Sequence, residues 1–327
     1  MRRSGRGGGW VDVWVRASPT GKLRRFVLCG LAPPAAIALA AVVASSAGAA
    51  RASAGRLGCA GGQVVFTRWP AGSEPMLART AADGSGLRVL GPGHAAKWSP
   101  NGRLIAYDNG RHILVANASR KHVKDLTPGL KNTSSLDPAW SPNGRWIVFA
   151  AEPTGTRNAA LWLVRPNGSG LHKLVDAPGE EENASWSPDG SQIVFDSFPA
   201  NGPDHLYVVH SDGSQLRQIT QDSLDAWGPD WSSHGLIVFA NNRRGASSDI
   251  LTIHPDGSAL HQLTHAQPGT ALAYPSFSPN GRNIVLSRIK GSRGSLYRMT
   301  ASGQQLHRLT MAGNYSDQFA DWGTCQH

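Results

Sequence analysis

The chain has 327 residues, of which 40% are hydrophobic, 17% charged and 7% aromatic, and it carries 38 Gly and 21 Pro. So much Gly and Pro argues against a helix-rich protein and for short strands joined by turns. The formal charge of +10 invites a nucleic-acid reading, but the charge is local. Residues 1–54 hold Arg2, Arg3, Arg6, Arg16, Lys22, Arg24, Arg25 and Arg51 against Asp12 alone, while the remainder carries 24 basic and 21 acidic side chains. That remainder offers no concentrated basic face for phosphates, and nucleic acid drops out as a partner.

Residues 1–20 are Gly/Arg-rich and unpatterned and read as an extension or a misassigned start. Lys22, Arg24 and Arg25 then precede an apolar stretch, residues 26–47, which leads into a run of small residues, 44–54. That run offers exits at Ala47-Gly48-Ala49 and Ala52-Ser53-Ala54. This is the order of a secretory signal peptide, so residues 1–54 read as a leader and residues 55–327 as one secreted, periplasmic or cell-envelope domain. The alternative is an uncleaved leader, the one route to membrane attachment, since the apolar stretch approaches the roughly 20 residues that span a bilayer. Pro33, Pro34 and the weakly hydrophobic Ala-rich composition favour cleavage.

From residue 98 onward one motif recurs. It reads Trp98-Ser-Pro-Asn-Gly102, Trp140-Ser-Pro-Asn-Gly144, Trp186-Ser-Pro-Asp-Gly190, Trp231-Ser-Ser-His-Gly235 and Phe277-Ser-Pro-Asn-Gly281, then a truncated Trp322-Gly-Thr-Cys325. Each copy is followed by a β-rich run such as Ile147-Val-Phe149 or Ile193-Val-Phe195, with Val64-Val-Phe66 as a sixth run that has no tetrapeptide before it. A third run follows (Leu161-Trp-Leu-Val164, Leu206-Tyr-Val-Val209), then an Asp/Asn-Gly pair, then a fourth run ending in Thr220, Thr264 or Thr310. Ser-Pro-Asn-Gly is turn chemistry: Pro presets φ and Gly accepts a positive φ. Asp83-Gly84, Asn167-Gly168, Asp212-Gly213 and Asp256-Gly257 suit two-residue hairpins. In the second unit Ser119-Arg120 stands where Asp-Gly belongs, which predicts a disordered outer hairpin.

Four strands per repeat, about 45 residues per repeat and six repeats predict an all-β, six-bladed β-propeller of four-stranded antiparallel blades. The repeated aromatics read as packing between neighbouring sheets rather than as ligand-stacking groups. The repeat, Trp-Ser-Pro-Asp/Asn-Gly with a trailing Asp-Gly-Ser-x-Leu-x-x-Leu-Thr, resembles the WD40-like repeats of the TolB propeller family over residues 63–322. The resemblance implies an extracytoplasmic bacterial propeller that binds other proteins at the mouth of its channel. An α/β domain ahead of the propeller, which the resemblance also implies, has no counterpart between residue 54 and the first strand.

No nucleophile elbow, phosphate loop or histidine metal spacing is present, so no catalytic residue, cofactor or metal is expected from motifs. A site assembled from His residues of different blades stays open. The connections between blades vary where the turns repeat, which puts the candidate binding residues at one mouth of the channel: Asp137, Glu182, Asn183, Asp225, Trp227, Tyr274, Asp317 and Gln318. Trp227 and Tyr274 are the expected anchors for an envelope protein or peptide. Glu180 to Glu182, taken alone, read as an ordinary solvated loop. The function expected is a non-catalytic binding module. A polysaccharide lyase or glycoside hydrolase using mouth carboxylates and His, with glycan as ligand, is the alternative, and a surface scaffold a third.

Three cysteines complete the reading. Cys29 falls in the leader. Superposing the incomplete ends on a complete repeat puts Cys59 on the Pro slot and Cys325 on the Asn slot of one turn, within the reach of a disulfide. The C-terminal strand, residues 319–322, is then expected to join the N-terminal blade and close the ring, with a Cys59–Cys325 bond as its lock. Lipid attachment at Cys59 is disfavoured by Arg56, which stands where an aliphatic residue belongs.

Overall fold

The computed structural model describes residues 62–324 except 157, 178, 200–201 and 244–246, together with the backbone of two earlier strands, β1 (Trp10–Arg16) and β2 (Leu23–Cys29). These two pair antiparallel with each other and lie within the segment expected to be a leader. Among the described residues there is no helix, so none is long and apolar enough to cross a membrane. The expected cleavage sites, Cys59 and Cys325 lie outside the described residues.

The chain then builds a propeller. β3 (Gln63–Pro70), β4 (Met76–Ala81) and β5 (Arg88–Pro92) are followed by β6 (His94–Trp98), β7 (Leu104–Asp108), β8 (Ile113–Asn117) and β9 (Lys124–Asp125). The next sheet is β10 (Thr133–Trp140), β11 (Ile147–Pro153), β12 (Ala160–Val164) and β13 (His172–Val175). After it come β14 (Glu180–Trp186), β15 (Gln192–Phe198), β16 (His205–His210) and β17 (Arg217–Gln218). β18 (Ala226–Trp231), β19 (Ile237–Arg243), β20 (Ser247–Ile253) and β21 (His261–Gln262) precede β22 (Thr270–Phe277), β23 (Asn283–Lys290), β24 (Arg293–Thr300), β25 (His307–Arg308) and β26 (Tyr315–Gly323).

Four of the resulting sheets have four strands, and β18 to β25 form a single eight-stranded sheet. This departs from the expectation of separate four-stranded blades throughout. The fusion is one parallel bridge between β20 and β22, Ser248 to Ala271, reinforced by the Ser248 hydroxyl donating to the Leu272 carbonyl at 2.8 Å. β26 pairs antiparallel with β3 from Tyr315 opposite Pro70 to Gly323 opposite Gln63, so the last strand supplies the innermost position of the first sheet.

The repeated residues take distinct jobs. Each motif aromatic is buried between its own sheet and the one before it. Trp140 packs with Ala106, Ile113 and Val115, Trp186 with Val148 and Leu161, and Trp231 with Val194 and Leu206. The indole N–H of Trp140 donates to the Lys97 carbonyl and that of Trp186 to the Ala139 carbonyl, each at 3.2 Å. In the turn, Ser141 Oγ donates to Asn143 Oδ1 and accepts from the Trp146 amide, and Gly144 sits at φ 67°. The closing Thr of the repeat caps the third strand across its outer edge: Thr127, Thr220, Thr264 and Thr310 accept from Ile113, Leu206, Ile250 and Leu296 at 2.9–3.0 Å.

Two expectations about the outer hairpins are corrected. The Asp-Gly turns close three-residue loops, since His210 N donates to Ser214 O and Gly213 N to His210 O, with Gly213 at φ 86°. This is a type I turn followed by a left-handed residue. The second unit forms the same loop without a glycine. Asn117 Oδ1 accepts from the Ser119 and Lys121 amides, and Arg120 takes the left-handed position at φ 55°. Arg120 is held there by Tyr107, whose hydroxyl accepts from it at 2.8 Å and whose ring lies 4.5 Å from the guanidinium carbon.

Replacing an indole that fills the space between two sheets leaves a cavity that closed β-structure cannot collapse. Trp140→Ala is expected to lower unfolding free energy by about 3–5 kcal/mol in a denaturant titration, whereas an ordinary surface position would cost less than about 0.5 kcal/mol.

Candidate functional site

The axis of the ring is lined by a device that the repeats share below the level of sequence identity. Every innermost strand shifts register once, between His94 and Lys97, Leu136 and Ala139, Glu182 and Ser185, Trp227 and Asp230, Ala273 and Ser276, and Gln318 and Asp321. Each shift is a β-bulge, and its first residue is left-handed: Ala95, Asp137, Asn183, Gly228, Tyr274 and Phe319 have φ between 46° and 59°. Only one of these is glycine, so the others hold strain of roughly 1 kcal/mol or more each. Part is offset by bonds from the preceding sheet. Thr67 Oγ1 accepts from the Ala95 amide at 2.9 Å, Asp108 Oδ2 from Asp137 at 3.4 Å and Asp196 Oδ1 from Gly228 at 3.3 Å.

The extra residue resets the alternation of side chains, and with it the fate of the candidate binding residues. Asp137, Asn183 and Tyr274 are bulge residues, and together with Gly228 and Phe319 they line a small cavity of about 40 Å³. Trp227 is one position earlier. It is buried, 1% exposed, among Val238, Ala240 and Leu272, and its N–H donates to Asn242 Oδ1 at 3.0 Å. Its expected role as an exposed anchor is therefore corrected to packing. Asp225 ties its loop to neighbouring elements, accepting from the Asp204 amide just before β16 at 3.0 Å and from Asn242 Nδ2 on β19 at 2.9 Å. Asp317 is fully buried in a two-pronged pair with Arg68 at 2.7 and 2.8 Å, and Gln318 is buried with its amide donating to Ser316 Oγ.

What the bulges do gather is asymmetric. On one arc Tyr274 stacks on Phe319 at 3.8 Å, with Trp227 edge-on behind Tyr274 at 5.0 Å and His94 edge-on to Phe319 at 4.4 Å. On the other arc stand Asp137, Glu182 and Asn183, whose amide donates to Asp196 at 3.3 Å. Burial drives the Asp137 pKa up to about 7; His94 opposes this, and Asp108, Glu182 and Asp196 add to it. Burial alone would lower the pKa of His94, but Asp108, 3.1 Å from its Nδ1, together with Asp137 and Glu182 outweighs it and the imidazole is raised. Sequence spacing missed this cluster because its His and two Asp come from three strands.

Two residues past each bulge stand Lys97, Ala139, Ser185, Asp230, Ser276 and Asp321, at the floor of a larger cavity of about 340 Å³. Its walls are the motif aromatics and the Ser-Pro turns. The face expected to be uniform thus carries the larger opening. Lys97 Nζ lies 3.4 Å from Asp321 Oδ1, and Asp230 and Asp321 accept from the backbone N–H of Phe277 and Trp98 at 2.7 and 2.8 Å. Burial raises the Asp230 pKa and Lys97 opposes the rise.

With this geometry in place, the chain can be set beside known proteins. A family model described as the TolB beta propeller domain matches residues 89–326. The chain belongs to this family. Among relatives, this TolB-family propeller is 27% identical over 192 residues to the uncharacterized protein Atu1656 of Agrobacterium fabrum, covering 58% of this chain and 64% of that protein. It is also 27% identical over 155 residues to the uncharacterized peptidase YuxL of Bacillus subtilis, covering 47% of this chain and 22% of that one. The crystal structure of TolB from Acinetobacter baumannii superposes with a TM-score of 0.68 at 21% identity, covering 81% of this chain and 67% of that one.

The run Glu180 to Glu182 is part of β14 and not a solvated loop, and Glu181 has no exposed surface. Burial pushes its pKa up to about 8, with Asp176 adding to the rise. The folded protein then holds a proton that the unfolded chain releases near pH 4.5, so this residue's contribution to stability falls as pH rises from about 5 to about 8. Glu181→Gln is expected to flatten that part of the stability-versus-pH curve by on the order of 3 kcal/mol. Thermal melts of both proteins at each pH check this; parallel curves would contradict it.

Proposed function

We propose that the chain is a six-bladed, exported member of the TolB family that serves the bacterial cell envelope as a non-catalytic protein-binding module. The count of six takes the eight-stranded sheet as two blades, a reading supported by its joining through one bridge and by the six bulges. Residues 1–54 are a leader in this reading. The observation that carries the function is the two-sided mouth, where stacked Tyr274 and Phe319 face Asp137, Glu182 and Asn183 across the axis. An aromatic shelf opposite carboxylates gives a partner segment an apolar anchor and a polar register, the arrangement that concentrates binding energy in few residues.

Affinity capture from an envelope extract, followed by calorimetry with the captured protein, tests the assignment. Tyr274→Ala is expected to weaken binding by roughly 2 kcal/mol, about thirtyfold in Kd. Unchanged affinity in a folded variant would overturn the mouth as the binding surface. The second reading, a glycan lyase or hydrolase, gains from the pairing of His94 with Asp108 beside an Asp137 raised to about 7, a poised acid-base arrangement. Release of new reducing ends from a glycan panel, abolished by Asp137→Asn, would make catalysis the function.

The Cys59–Cys325 lock remains part of the proposal. It is supported by Gly323 pairing with Gln63, four residues after Cys59 and two before Cys325 in sequence. In protein purified from the envelope, mass spectrometry of non-reduced peptides is expected to find the two linked; free thiols at both, or a lipid adduct on Cys59, would overturn it.

A further inference from the structure

His94, Asp108 and Asp137 converge from three strands in two sheets. His94 is the residue before the β6 bulge and stands directly opposite Asp108 on β7. Asp137 is the bulge residue of β10 in the next sheet, and its amide donates to the same Asp108 oxygen that meets His94 Nδ1. One nitrogen or oxygen from each of the three lies within 4.8 Å of the others. Donors bound to one ion at about 2.0–2.2 Å stand roughly 3.0–3.5 Å apart, so small side-chain rotations would bring the set onto a common centre.

Two further observations set this cluster apart from an ordinary ion pair. Buried polar atoms are left over: Asp137 Oδ1 and His94 Nε2 have no hydrogen-bond partner, and His94 is 1% exposed. The charge is also unbalanced. Asp108, Glu182 and Asp196 all bear on Asp137, and among the described residues His94 opposes them. Excess buried negative charge is costly unless a cation compensates it.

We propose that His94, Asp108 and Asp137 bind one divalent transition-metal ion, of the class that accepts one imidazole and two carboxylates. Mn²⁺ and Zn²⁺ fit such a mixed nitrogen and oxygen set, whereas Ca²⁺ and Mg²⁺ prefer all-oxygen sites. Three protein donors leave at least one coordination position for water or a group from a partner.

The full chain, stripped with EDTA and dialysed, is titrated calorimetrically with MnCl₂, ZnCl₂, CaCl₂ and MgCl₂. The expected result is one saturable site for Mn²⁺ or Zn²⁺, at least tenfold tighter than for Ca²⁺ or Mg²⁺. Asp137→Asn is expected to weaken it at least tenfold. Asp321→Asn, which removes a carboxylate from the other cavity but keeps an oxygen for the Trp98 amide, is expected to leave it unchanged. Should His94→Ala fail to fold, the electron-spin-echo spectrum of Mn²⁺ on the intact protein reads the imidazole directly through its nitrogen coupling. Absence of saturable binding, equal weakening by Asp137→Asn and Asp321→Asn, or bound Mn²⁺ without nitrogen coupling would each overturn the proposal.

Discussion

The one-residue bulge in every innermost strand is the constraint on which the rest of the molecule turns. Antiparallel strands alternate their side chains, so an unbroken inner strand would keep one fixed parity from the loop-bearing end to the turn end. The bulge breaks that parity between the two ends. Upstream of it, Trp227, Gln318 and His94 are turned into the space between sheets; at it, Asp137, Tyr274 and Phe319 are turned toward the axis. Downstream, Lys97, Asp230 and Asp321 line the axis again, while Trp98, Trp231 and Trp322 return to the packing. One backbone irregularity thus separates the residues that hold the sheets together from those that furnish the channel.

The two ends of that channel differ in how far their charges are satisfied. At the turn end, Lys97 meets Asp321, and Asp230 and Asp321 are also tied to backbone amides of the next sheet, so the polar groups act as staples between neighbours. At the loop end, Asp108, Glu182 and Asp196 gather around Asp137, and a stacked aromatic pair faces them. Satisfied polar groups rigidify a core, whereas perturbed ionisable groups cluster at functional sites more often than elsewhere.

The sheet framework was legible because packing repeats itself. An aromatic ring filling the same gap between sheets in each unit must recur at nearly the same interval, and Trp98, Trp140, Trp186, Trp231, Phe277 and Trp322 do so. The axis was legible only to within one residue. Trp227 lies four positions before its motif aromatic and Asp137, Asn183 and Tyr274 lie three before theirs, and without knowledge of the bulge the two offsets look equivalent. The Glu180 to Glu182 run has the composition of a loop, yet strand pairing with Ser197 and Phe198 buries Glu181. The His94, Asp108 and Asp137 cluster left no spacing signature, since ring geometry rather than chain proximity brings those residues together. Arg120 shows the opposite case: a missing glycine suggested a failed turn, and contacts with Tyr107 supply what the backbone lacks.

The pairing of β26 with β3 also dictates an order of events. Tyr315 to Gly323 is the innermost strand of a sheet whose other three strands are the first of the propeller to emerge from the ribosome. Until residue 323 is available, the apolar face of β3, with Val64 and Phe66, has no inner neighbour and presents an open sheet edge. Contacts separated by about 250 residues carry the loop-closure entropy of nearly the whole chain, which makes their formation late and slow. A chain stopped short of β26 cannot close its ring, so the state of a single strand distinguishes a finished molecule from an unfinished one.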